Sequence, residues 1–154
     1  MNLALKKAWS SIIGPVLQRP KRLQVAALCH RQRSGAREFL LVTSRDTKRW
    51  IIPKGWPIRG LESHETALRE AWEEAGVKAG NANKCPEGTY TYQKRLETGW
   101  SFPVETIVYS VSVNELSEDY PEAGDRTRKW VSAEAAADMV DEPELKRIFG
   151  SQAS

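Results

Sequence analysis

The 154-residue chain is 40% hydrophobic and 28% charged, ordinary proportions for one globular domain, and it is too short for two comfortable ones. No apolar run approaches the roughly 18 residues of a membrane span, and no apolar core or cleavage site follows Lys6 and Lys7, so neither a membrane protein nor a signal peptide is expected. The net charge is only +3, yet residues 1–60 carry 13 Lys and Arg against 2 acids, while residues 61–154 carry 10 against 18. Such asymmetry points to an anionic partner, either nucleic acid or a small polyphosphate. Cys29 and Cys85 lack metal-ligand spacing and read as two reduced thiols of a cytoplasmic protein.

In chain order, residues 1–20 read as an extension, with a short amphipathic helix through Leu5, Trp9, Ile12 and Ile13 broken at Gly14-Pro15. The domain is expected over 21–150. Arg22–Arg31 has an apolar centre, Val25 to Cys29, that reads as a buried strand. Ser34-Gly35 marks a turn, Glu38–Ser44 a second strand, and Trp50–Ile52 a short one stopped by Pro53. A loop with Pro53, Gly55, Pro57 and Gly60 then leads into a helix with Ser63 as its expected N-cap and Gly76 at its C-terminal end. Residues 78–84, with Gly80, Asn81 and Asn83, read as loop. Gly88–Leu96 and Val104–Val113 read as an antiparallel strand pair, Asn114–Gly124 as an acidic loop, and Arg126–Val131 as a last strand. Ser132 caps a helix over 133–139, and Glu142–Phe149 reads as helical. Strands, helix, strands and helices in this order predict a mixed sheet covered by helices.

The central helix carries the chemistry. Glu70, Glu73 and Glu74 stand at i, i+3 and i+4, which puts three carboxylates on one face. Leu68, Ala71, Trp72 and Ala75 repeat at helical spacing and read as the buried stripe on the other. Acid-rich amphipathic helices are commonly just solvated faces. Here, however, the like charges repel one another, and a hard divalent cation with oxygen ligands would relieve them.

The stretch Gly55–Val77 resembles the Nudix box. Gly55, Arg69, Glu70, Ala71, Glu73, Glu74, Gly76 and Val77 fall at its positions, while Leu61 replaces its early Glu and Glu62 comes one residue late. The resemblance implies an α/β/α sandwich with a mixed β-sheet. It also implies hydrolysis of a phosphoanhydride with Mg²⁺, or Mn²⁺, held by Glu70, Glu73, Glu74 and the Gly55 carbonyl. Breaking a phosphoanhydride requires an in-line water and neutralised phosphoryl oxygens, which carboxylates alone would not provide. By the same resemblance Glu70 is the candidate general base, and Arg69 orients a carboxylate or the loop. In some members a later-loop glutamate is the base. Glu115 and Glu118 occupy such a loop here, although acidic residues of that kind are more often plain surface.

The segments KRLQVAALCHR, FLLVTSRDTKRWIIPKG, REAWEEAGV and RTRKWVSAEAA are similar to the diphosphoinositol polyphosphate phosphohydrolase branch over most of residues 21–140. The matching cations and hydroxyl that would grip a polyphosphate are Ser44, Arg45, Lys94, Arg95 and Arg126; each taken singly reads equally well as an ordinary solvated group. Lys54-Gly55-Trp56 replaces that branch's triple glycine and looks more like diadenosine polyphosphate hydrolases, with Lys54 beside the phosphates and Trp56 either stacked on a base or packed in the loop. The expected partner is thus an anionic polyphosphate small molecule rather than nucleic acid or a membrane. The competing readings are a hydrolase of nucleoside triphosphates, nucleotide sugars or 5′-triphosphate RNA, an RNA-binding protein, and a Nudix-like binding module without chemistry.

Overall fold

The computed structural model describes residues 22–153. The extension expected over residues 1–20 lies outside the described residues. Among the described residues, eight strands form one mixed sheet. β1 (Arg22–Arg33) and β2 (Ala36–Thr43) make a hairpin whose turn, Ser34-Gly35, has both residues at positive φ, 53° and 78°. Two left-handed residues in a row match the twist of the flanking strands. β7 (Ser101–Leu116) runs parallel to β1 from the Arg22–Val104 pair to the His30–Ser112 pair. Its far edge pairs first with β6 (Gly88–Arg95) and then with β5 (Val77–Ala82). The short strands β3 (Trp50–Ile51) and β4 (Lys54–Gly55) pair with β2 and β1, and β8 (Arg128–Ser132) closes the outer edge of β2.

Helices cover both faces. Under α1 (Ser63–Ala75) lie Val25, Ala27, Cys29, Leu40 and Val42; under α2 (Ala133–Met139) and α3 (Pro143–Gln152) lie Ala26, Leu28, Phe39, Leu41 and Tyr90, against which α3 packs Leu145 and Phe149. The architecture is the α/β/α sandwich of the sequence reading. β1 is apolar at successive positions because its side chains alternate between two buried faces. Each fully buried side chain the size of Leu145 or Phe149 contributes about 1.5–3 kcal/mol.

Several local readings need correction. Residues 78–84 are not all loop: Val77–Ala82 forms β5, because the last third of β7 offers a free edge that backbone groups pair with whatever their side chains. For the same reason β7 runs on to Leu116, and the acidic loop starts later than expected. The residue that caps α1 is Glu62, in extended geometry, and its N–H donates to Glu65 Oε1 at 2.9 Å. The displaced glutamate of the box thus ends the loop, while Leu61 is half-buried in a groove with Leu68 and Trp72. The stripe of α1 that packs fully on the sheet is Ala67, Ala71 and Ala75, not Leu68 and Trp72, which are only partly covered. Small side chains let the helix lie close to the strands, which draws Glu70 and Glu74 inward with it.

Candidate active site

Gly76 ends α1 in the left-handed region at φ 72°, and its N–H donates to Trp72 O. The loop that follows β7 is sewn onto this end. Ser117 N–H donates to Gly76 O at 2.8 Å, Arg128 Nη1 to Ala75 O at 2.8 Å, and Glu122 N–H to Glu73 O at 3.0 Å. On the other side, β4 brings Gly55 so close to Glu70 that a Cβ there would lie 2.3 Å from its carboxylate. Only glycine fits. The result is a pocket of acids: Glu70 and Glu74 are buried, and the Glu73 and Glu122 charges bear on Glu70 as well.

Two guanidinium groups reach these acids directly: Arg45 lies 3.4 Å from Glu122, and Arg126 is the buried one. Arg126 reaches Glu74 and Glu122, each at 3.2 Å, and donates to Thr43 O at 3.0 Å. Glu74 also accepts from Lys54 N–H at 3.4 Å. The balance stays negative. Burial, with Glu74, Glu73 and Glu122 adding repulsion, pushes Glu70 up to about 7, and burial likewise raises Glu74 against the pull of Lys54 and Arg126. The donor set suits a hard divalent cation, since it is made of carboxylate oxygens short of positive charge. Among the described residues, however, no three of these carboxylates converge on a point tightly enough to enclose an ion, and Glu74 is engaged by Arg126.

Beside the acids opens a cleft of about 580 Å³. Ser44, Arg45, Lys54, Lys94, Arg95 and Arg126, the residues singled out for polyphosphate binding, all line it. The β2–β3 loop supplies Ser44 and Arg45, while β6 supplies Lys94 and Arg95. Lys54 Nζ stands over the Tyr92 ring, 5.1 Å from its centre, and desolvation lowers its pKa to about 8 despite Glu74 nearby. Tyr92 is itself held by a hydrogen bond from its hydroxyl to Gln24.

Other expectations fall elsewhere. Arg69 is exposed and lines the groove on the outer side of α1 with Leu68 and Trp72, away from the carboxylates. One helical residue is about 100° of rotation, enough to take it out of the site. Glu115 pairs with Lys78 on the surface, and Glu118 pairs with Arg128 while 99% exposed. The loop glutamate that does reach the acids is Glu122, which the sequence did not distinguish from its neighbours. Arg49, Asp141 and Glu142 also line the cleft without a sequence signal to announce them. Trp56 is exposed rather than packed.

A NUDIX domain matches residues 20–149. The chain belongs to the Nudix family. It is 32% identical over 109 residues to Nudix hydrolase 12, mitochondrial, of Arabidopsis thaliana, covering 66% of this chain and 51% of that protein. It is 33% identical over 123 residues to diphosphoinositol polyphosphate phosphohydrolase 2 of Mus musculus, covering 76% and 62%. This Nudix chain therefore spans between about half and two thirds of the length of these curated relatives. Among solved structures it resembles an Ap4A hydrolase of C. elegans, with a TM-score of 0.61 and 22% identity over 86% of this chain and 98% of that one. At that identity the likeness speaks for the Nudix fold. No helix among the described residues is long and apolar enough to cross a membrane.

Proposed function

We propose that this chain is a divalent-cation-dependent hydrolase of a phosphoanhydride bond in a polyphosphorylated small molecule. The substrates in view are diphosphoinositol polyphosphates and diadenosine polyphosphates, the compounds for which its relatives are named. The observation that carries the reading is the placement of crowded, largely buried carboxylates on α1 beside a cleft lined by Arg45, Lys54, Lys94 and Arg95. Glu70, Glu73 and Glu74, with the Gly55 carbonyl, would hold Mg²⁺ or Mn²⁺. That cation would supply the charge neutralisation needed to bring a polyphosphate against the acids.

The chain's own groups do the rest. Arg45, Lys94 and Arg95 compensate phosphate charge on the open side of the cleft, and Lys54 does so at its floor. Glu70, buried against Gly55 among the other acids, is the carboxylate we assign as base to the attacking water. Glu122 is the loop glutamate placed to share that role. Arg126 holds Glu74 and Glu122 in position. The two cysteines are both free thiols, which supports a cytoplasmic setting.

The test is turnover by the purified chain against inositol pyrophosphates, dinucleoside polyphosphates, nucleoside triphosphates, nucleotide sugars and 5′-triphosphate RNA, with Mg²⁺ and with chelator. Turnover of a polyphosphate that chelator abolishes is expected. Turnover indifferent to chelator, or none on any substrate, overturns the reading. The RNA arm answers a second reading, favoured by the exposed Trp56 and Trp100, which could stack on bases.

A further inference from the structure

Two buried polar atoms among the cleft-lining residues have no partner within the protein: Arg126 Nε and Glu142 Oε2. Both side chains are 7% exposed. Their surroundings are otherwise well made. Glu142 precedes α3, and its other oxygen accepts from Arg49 Nη1 at 2.7 Å, with Asp141 3.7 Å from the same nitrogen. Lys54 carries the nearby ammonium, but it sits over the Tyr92 ring and makes no ion pair with Glu142.

The two orphans are of opposite kind. Arg126 Nε–H is a donor, and a phosphate oxygen satisfies it. Glu142 Oε2 is an acceptor, and ionised phosphate, which has only acceptors, leaves it unpaired and repels it. Asp46 and Asp141 line the same cleft and add to the repulsion. A ligand that satisfies both orphans carries anionic oxygens at one end and a hydrogen-bond donor at the other.

We propose that Glu142 is a specificity-determining residue. Its free carboxylate oxygen accepts a hydrogen bond from a hydroxyl or amino group on the non-phosphate part of the substrate. It thereby selects a nucleoside polyphosphate over an inositol ring phosphorylated at every position. The proposal rests on the phosphoanhydride-hydrolase reading above and names the substrate class within it.

The experiment compares kcat/KM of the Mg²⁺-loaded wild type and Glu142→Gln on three kinds of substrate. These are diadenosine tetraphosphate, its 2′-deoxy, 3′-deoxy and inosine analogues, and a fully phosphorylated inositol pyrophosphate. Glutamine keeps a carbonyl for Arg49 and puts an amide donor in place of the orphan acceptor. Wild type is expected to favour the adenosine substrate, and at least one donor-deleted analogue should lose about tenfold or more. Glu142→Gln should impose a similar loss on the adenosine substrate, mainly through KM. It should cost that one analogue nothing further, and leave the inositol substrate equal or improved.

An equal loss on both substrate classes overturns the proposal, as does a loss that persists on every analogue. Circular dichroism and a melting curve establish whether the variant folds. If it does not, the wild-type series decides alone: no analogue losing more than about twofold overturns the proposal. Hydrolysis of the inositol compound in preference to the adenosine one refutes this inference while leaving the hydrolase reading standing. Absence of turnover on any polyphosphate removes the hydrolase reading and this inference with it.

Discussion

Around α1, four carboxylates crowd the buried guanidinium of Arg126, with Glu70 and Glu74 out of water; along the rim of the cleft, Arg45, which reaches Glu122 from outside, and Arg95 stay exposed to it. The first region bears its charge at a cost, visible in the upward shift of Glu70 and Glu74. The second bears it freely, since solvent screens each cation. The difference shows where binding energy is to be had. A cation entering the acids relieves burial and repulsion together, whereas a phosphate meeting the rim replaces water already well placed. Lys54 belongs to the first kind, because desolvation works against its charge as it does against that of Glu70.

The strongest way to break this contrast is to remove an acid. Glu70→Gln or Glu74→Gln should lower kcat about 10²–10⁴-fold with the fold intact by circular dichroism, whereas Arg95→Ala at the rim should act mainly on KM. Equal, small effects on both sides would remove the distinction. Next comes Gly55→Ala. Its Cβ would strike the Glu70 carboxylate, so a loss of about 1–3 kcal/mol in denaturant unfolding is expected together with a loss of turnover.

A smaller effect comes from pH. The folded chain holds the Glu70 proton up to about 7, the unfolded chain only to its ordinary 4.5. Folding therefore takes up a proton between those values. The stability of the metal-free chain should fall as pH rises from 4.5 to about 7 and then level off, and saturating Mg²⁺ should flatten the slope. Urea midpoints across that range check it; an unchanged or rising midpoint without metal counts against the crowded-acid picture. The smallest effect is expected at Glu118, exposed and paired with Arg128: Glu118→Gln should leave turnover within about twofold.

How much of this was legible depends on the range of the interaction. Ser132 caps α2 as expected, and its side chain accepts from Ala135 N–H, because a cap is decided within four residues. The Ser34-Gly35 turn is equally local. β5 was not legible, because VKAGNA carries no strand pattern of its own and is a strand only by virtue of the edge of β7. Glu122 could not be told from Glu115 or Glu118 by composition or spacing. Its backbone bond to Glu73 O, across the end of α1, is what brings it in.

The sequence by itself determined the helix with three carboxylates on neighbouring turns, the glycines at its two ends, and the doubly buried strand Val25–Cys29, since spacing and side-chain size settle these over a few residues. Only the tertiary structure decided that Ser44, Arg45, Lys54, Lys94, Arg95 and Arg126, drawn from four separate parts of the chain, would line one cleft, and that Arg69 would turn away from it. Which charges end up buried, shared or left without a partner depends on how the strands and the loop after β7 pack against α1, and contacts between residues so far apart in sequence leave no local pattern to read.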